Sequence, residues 1–70
     1  MLPLAFADAL EENIVKRIGG APELRRHLEE LGFNVGARVT IVSERDGDLI
    51  VKVKESSVAV SREAAQEIMV

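Results

Sequence analysis

The sequence predicts a mainly β fold, a small barrel of about five short strands with one α-helix inserted after the first strand. Three observations predict it. From Arg38 onward apolar residues tend to recur at every second position, the period of a half-buried strand. Turn-forming clusters interrupt this region at Asn34-Val35-Gly36-Ala37, Arg45-Asp46-Gly47-Asp48 and Glu55-Ser56-Ser57, so the strands are short and joined by tight connections. A single stretch, Pro22 to Leu31, carries leucines at helical spacing and runs into Gly32.

The elements follow in order. Residues 4–10 fit either an extended segment or a short turn. Asn13 to Ile18 reads as one strand rich in β-branched residues, with imperfect alternation because Lys16 shares parity with Ile14 and Ile18. A bulge or an edge position accounts for that. Gly19-Gly20 ends the strand. Pro22 suits the first helical position, where its missing N–H costs nothing, and Glu23 suits the positive end of the helix dipole. Leu24, Leu28 and Leu31 share one face. Gly32 suits the left-handed position after the helix, with Phe33 folding back onto Leu28 as in a Schellman ending. Asn34 to Ala37 fits a type II turn with Gly36 at the positive-φ position.

Val39 and Ile41 then share a face of a strand, and Asp46-Gly47 makes the hairpin turn to a second arm. In that arm Leu49, Val51 and Val53 alternate with Ile50, Lys52 and Lys54. Glu55-Ser56-Ser57 is read as another turn and Val58-Ala59-Val60 as a short strand. Ser61 caps a single helical turn over Ser61-Arg62-Glu63-Ala64, and Gln66 to Val70 closes the chain with Ile68 and Val70 on one face. So few strands suit a partly open barrel better than a sandwich, since closure protects strand edges. The fold expected is an SH3-like barrel, one domain over residues 1–70, with the helix plugging one opening.

Composition sets the limits. The chain has 70 residues, no cysteine, two phenylalanines as its only aromatics, and 47% hydrophobic residues. Disulfides and thiolate metal sites are excluded, and the core rests on aliphatic packing. The formal charge of −3 gives no basic footprint and argues against nucleic-acid binding. No apolar run approaches the roughly 20 residues that span a bilayer. The apolar start, Met1 to Ala7, lacks a basic leader and is read as a strand or arm covering the core. The expected location is cytoplasmic.

Few residues carry chemistry. His27 is the only histidine, with Glu23 four residues before it and Glu30 three after. The three converge on one helix surface, as a weak candidate site for a divalent metal. A tightly bound zinc wants more nitrogen or sulfur ligands, and a solvated histidine beside carboxylates is the simpler reading. Arg25 and Arg26 stand four residues before Glu29 and Glu30, in the less favourable order for helical ion pairs. They form either a solvated face or a surface that docks an acidic or phosphate-bearing partner. Asp46-Gly47-Asp48 is too short for a calcium loop. Gly19-Gly20-Ala21-Pro22 precedes a helix but lacks the Gly-Lys-Ser/Thr element of a phosphate loop. No nucleophile has a base near it in sequence, so no enzyme is expected.

One run gathers these signals: Leu24-Arg25-Arg26-His27-Leu28-Glu29-Glu30-Leu31-Gly32-Phe33-Asn34-Val35-Gly36. Its pattern Arg-Arg-x-Leu-x-x-Leu-Gly-Phe-x-x-Gly resembles the signature of the FeoA family, small cytosolic partners of the bacterial ferrous iron transporter. The resemblance continues through Ile14 to Gly20, Val51 to Val53, Val58 to Arg62 and Ala65 to Val70. Three departures touch turns: Glu11-Glu12 and Glu55 stand where glycines are common, and Asn34-Val35-Gly36 replaces a Pro-Gly pair.

The resemblance implies a non-enzymatic, cofactor-free accessory that docks to the GTP-hydrolysing part of the transporter FeoB and regulates it. The contact surface it suggests is Arg25, Arg26, His27, Leu28 and Gly32, with Leu28 and Gly32 also explained as core residue and helix cap. A monomer is expected, without direct membrane insertion. Two alternatives remain: a free-standing regulatory module related to the C-terminal domain of iron-dependent repressors, and a small iron-binding protein using Glu23, His27 and Glu30.

Overall fold

Alternation and turn chemistry do most of the folding work in this chain, whose computed structural model describes residues 1–70. A 3-10 turn at Leu4–Phe6 is followed by β1 (Glu12–Ile14), β2 (Arg17–Ile18), α1 (Pro22–Glu30), β3 (Arg38–Arg45), β4 (Asp48–Val53), β5 (Ser56–Ser61), α2 (Arg62–Ala65) and β6 (Ile68–Met69). The sheet β1-β3-β4-β5 is antiparallel throughout, and β2 pairs antiparallel with β6 in a second, two-stranded sheet. The architecture is the mainly β barrel with an inserted helix that the sequence predicts.

Two local expectations are corrected. The single strand over Asn13–Ile18 is two strands, because the chain changes sheets at Val15-Lys16. The Val15 N–H donates to the Ala37 carbonyl beside β3, whereas the Lys16 N–H donates to Met69 in β6. Changing sheets resets which parity faces inward, so Ile14 and Lys16 are exposed while Val15 and Ile18 are buried. The turn expected at Glu55-Ser56-Ser57 lies at Lys54-Glu55 instead. Ser56 pairs with Val53 and Ser57 with Lys52, which lengthens β5 to six residues. Lys54 takes φ 57°, a conformation uncommon outside Gly, Asn and Asp, so its side-chain chemistry gave no turn signal.

The other turns follow their residues. Asp46 (φ 53°) and Gly47 (φ 86°) form the two-residue loop between β3 and β4, both with the positive φ that a type I′ hairpin needs. Gly36 has φ 93°, and the Ala37 N–H donates to Asn34 at 2.8 Å. At the end of α1, Gly32 has φ 110°, the Phe33 N–H donates to Leu28 at 3.0 Å, and the Gly32 N–H donates to Glu29 at 3.0 Å. Those two bonds are the Schellman pair, which satisfies carbonyls a helix end otherwise leaves open. Ser61 Oγ accepts from the Ala64 N–H at 3.1 Å, capping α2.

Sixteen buried hydrophobic residues form one cluster between the two sheets and α1. β3 contributes Val39 and Ile41, β4 contributes Leu49, Val51 and Val53, and Ile68 and Val70 close it from the C-terminal end. Phe33, Leu4, Leu28 and Ile68 are its largest fully buried side chains, each worth about 1.5–3 kcal/mol on removal from water. The apolar start acts as an arm. Leu2 and Val70 exchange both backbone hydrogen bonds at 2.8 Å, and Leu4 and Ala5 drop into the core. Between Ile41 and Ser43 the β3–β4 register slips by one residue. The resulting bulge at Val42 increases twist and helps the sheet curl. No helix is long and apolar enough to cross a membrane.

Candidate functional site

α1 is positioned by one apolar stripe and a strict ending. Leu28 is wholly buried and Leu24 and Leu31 pack partly against the core, so the opposite face is fixed toward solvent. That face presents Glu23, Arg25, Arg26, His27, Glu29 and Glu30, all exposed. Of the residues suggested as a contact surface, Arg25, Arg26 and His27 are therefore reachable. Leu28 is not, and acts by seating the helix. Gly32 is buried at the helix exit. A Cβ there would lie 3.4 Å from Val53 Cγ2 and 3.5 Å from Lys54 Cδ, so the helix exit abuts the end of β4.

The Arg25–Glu29 and Arg26–Glu30 pairings are not formed; the one ion pair in the chain joins Arg62 at the start of α2 to Glu44 on β3. The physical reason is the unfavourable order of the charges on an exposed helix, where water competes well for each group. Glu23, His27 and Glu30 do not close into a site either. No three His, Cys, Asp or Glu side chains anywhere in the chain gather into a group that could hold a metal ion. All three are exposed at one-turn spacing on the same helix surface, where water solvates each side chain and no neighbouring element packs over them to gather them. The glycines before α1 are likewise unsuited to phosphate, because a Cβ on Gly19 would meet Glu67 Oε1 at 2.9 Å. A carboxylate beside the loop opposes an anion.

A second surface is assembled only by the sheet. An open-sided cavity of about 450 Å³ lies on its outer face, lined by Glu12, Ala37, Arg38, Thr40, Lys52 and Lys54. The register explains the set: Glu12 pairs with Thr40, Thr40 with Lys52, and Ile14 with Arg38. The alternation that buries Val39, Val51 and Val53 turns Arg38, Thr40 and Lys52 outward. Sequence reasoning missed this group because its members lie far apart in the chain. The available signal was the outward parity of Arg38 and Thr40 against that of Lys52 and Lys54.

Fold and surface together define a small SH3-like barrel with two exposed charged faces. The FeoA domain model matches residues 2–70. A protein of Methanocaldococcus jannaschii with the provisional name Fe(2+) transport protein A is 37% identical over 70 residues, covering all of this chain and 85% of the relative. The chain belongs to the FeoA family.

Solved structures agree. An iron uptake regulatory protein, FeoA, superimposes with TM-score 0.88 at 25% identity, over 97% of this chain and 92% of that one. FeoA of Stenotrophomonas maltophilia complexed with zinc, described as a procaryotic SH3 domain protein, gives TM-score 0.82 at 22% identity, over 94% and 85%. A manganese-dependent transcriptional repressor gives TM-score 0.87 at 24% identity, over 97% of this chain and 39% of the repressor. The same barrel thus forms part of a longer protein there.

Proposed function

We propose that this protein is a non-enzymatic, cytoplasmic accessory of ferrous iron uptake that docks to the GTP-hydrolysing domain of a FeoB-like transporter and biases its state. The observation that carries the reading is the relationship, over the whole of this chain and 85% of the relative, to a protein provisionally named Fe(2+) transport protein A, joined to a helix whose Arg25, Arg26 and His27 face solvent with no ion-pair partners. A docking protein regulates only by binding two states of its partner unequally. The barrel supplies a stiff platform for that, because α1 is seated by Leu28 and its exit is fixed by Gly32 and Phe33.

The test is binding of the wild type and of Arg25→Glu/Arg26→Glu to the isolated GTPase domain. The reading expects the double variant to bind at least about tenfold more weakly, since charge reversal turns two attractive contacts of about 1 kcal/mol each into repulsions. Equal binding by both proteins would refute the helix as the contact face.

The likeness to part of a repressor favours a second reading, a free-standing regulatory module that binds another chain. It predicts binding to a repressor's metal-binding domain rather than to the GTPase domain. An iron-binding role through Glu23, His27 and Glu30 has less behind it, because these groups stand apart on the helix. It predicts stoichiometric ferrous iron binding that His27→Ala abolishes.

A further inference from the structure

We propose that the outer face of the β1-β3-β4 sheet is a second docking surface, which takes an extended acidic segment of a protein partner. The proposal is independent of whether that partner is the transporter.

The argument begins with charge. The chain as a whole is acidic, with 12 carboxylate residues against nine Lys and Arg. The cavity inverts this balance, with Arg38, Lys52 and Lys54 against the single carboxylate of Glu12. None of the three cations takes part in an ion pair. Arg38 on β3 and Lys54 in the turn after β4 line the same cavity, together with Lys52. Three unpaired cations gathered on one face repel one another and favour an anionic partner.

Shape selects the occupant. Small-molecule sites are concave, largely apolar and enclosing, whereas Ala37 is the one hydrophobic residue lining this open-sided cavity. The cations come from β3 and from β4 with its following turn, and so form a shallow two-dimensional pattern rather than a nest around one anion. An extended chain lying on the sheet can set successive carboxylates over Arg38, Lys52 and Lys54. Ile14 lies opposite Arg38 on β1 and is 49% exposed. It offers an apolar contact beside the charges, the combination of anchor and charged rim that protein interfaces use. Three cations on an otherwise acidic molecule make a poor footprint for duplex nucleic acid, where affinity scales with the number of neutralised phosphates. Lys54 touches the space beside Gly32, so this surface is continuous with the exit of α1.

The experiment is an NMR titration of the full chain, labelled with nitrogen-15, using a synthetic peptide rich in Asp and Glu with one leucine. The expected result is amide shifts clustered at Glu12, Ile14, Arg38, Thr40, Lys52 and Lys54. Affinity should fall by about tenfold when salt rises from about 50 mM to about 500 mM. Arg38→Glu/Lys52→Glu should weaken binding by at least about tenfold. Both side chains are exposed, so the variant's remaining spectrum should keep its dispersion and serve as the folding control. Shifts confined to α1, binding unchanged in the double variant, an equal response to inorganic phosphate alone, or tighter binding of duplex DNA would each overturn the proposal. Failure of the GTPase domain to bind would leave this result intact, and the converse also holds.

Discussion

Replacing Gly32 by alanine isolates the contribution of one backbone angle to the whole helix surface. Gly32 has φ 110°, a value that places an L side chain against its own backbone. The nearest atoms to a new Cβ would be Val53 Cγ2 at 3.4 Å and Lys54 Cδ at 3.5 Å. These are ordinary contacts, so little steric cost adds to the conformational one. The cost of holding a non-glycine residue near the left-handed region is about 1–2 kcal/mol. For a chain of 70 residues the unfolding entropy is about 0.15 kcal/mol/K, so Tm should drop by about 7–13 °C.

Gly36→Ala is the matching control. Gly36 has φ 93° and nothing within 4 Å of a new Cβ, so it reports the conformational cost alone. Urea and thermal unfolding of both variants should give losses within about 1 kcal/mol of each other. A loss at Gly32 exceeding that at Gly36 by about 3 kcal/mol or more would show that packing against Val53 and Lys54 dominates. No loss at Gly32 would contradict the Schellman assignment.

Leu28→Ala should cost about 2–5 kcal/mol, because a fully buried leucine leaves a cavity. Against a total stability of roughly 3.5–10 kcal/mol for a chain of this size, chemical denaturation would show a large fall in midpoint. Any lost docking should return when the variant is assayed at a temperature where it is folded. Ser61→Ala removes the cap of α2 and should lower stability by about 1 kcal/mol in the same assay. Arg62→Ala breaks the chain's one ion pair, whose partners are about half exposed, and should change stability by less than about 1 kcal/mol.

Signals that act over a few neighbouring residues were legible in the sequence. The Leu24–Leu28–Leu31 stripe, the Gly32-Phe33 ending, the Asp46-Gly47 hairpin, the Gly36 turn and the Ser61 cap all depend on such local chemistry, and the structure places each as read. What was not legible depends on partners far along the chain. The break within Asn13–Ile18 arises because Val15 bonds beside β3 and Lys16 bonds to β6, and no local pattern encodes a change of sheet. The Lys54-Glu55 turn was hidden because a lysine adopts the positive φ usually supplied by glycine or asparagine. The helix face carrying Arg25, Arg26 and His27 could be read directly from periodicity. The cationic sheet face could not, because Glu12, Arg38 and Lys52 meet only once the register of three strands is set.

The central claim is that this barrel works by docking, and one measurement tests it most directly. The labelled protein would be titrated with the soluble GTPase domain of a FeoB-like transporter at moderate salt, with and without bound nucleotide. The account predicts shifts clustered over residues 23–36, with an affinity that depends on nucleotide. Absence of shifts with either form of the domain would contradict it, and shifts at Glu23, His27 and Glu30 on adding ferrous iron would then transfer the function to metal binding.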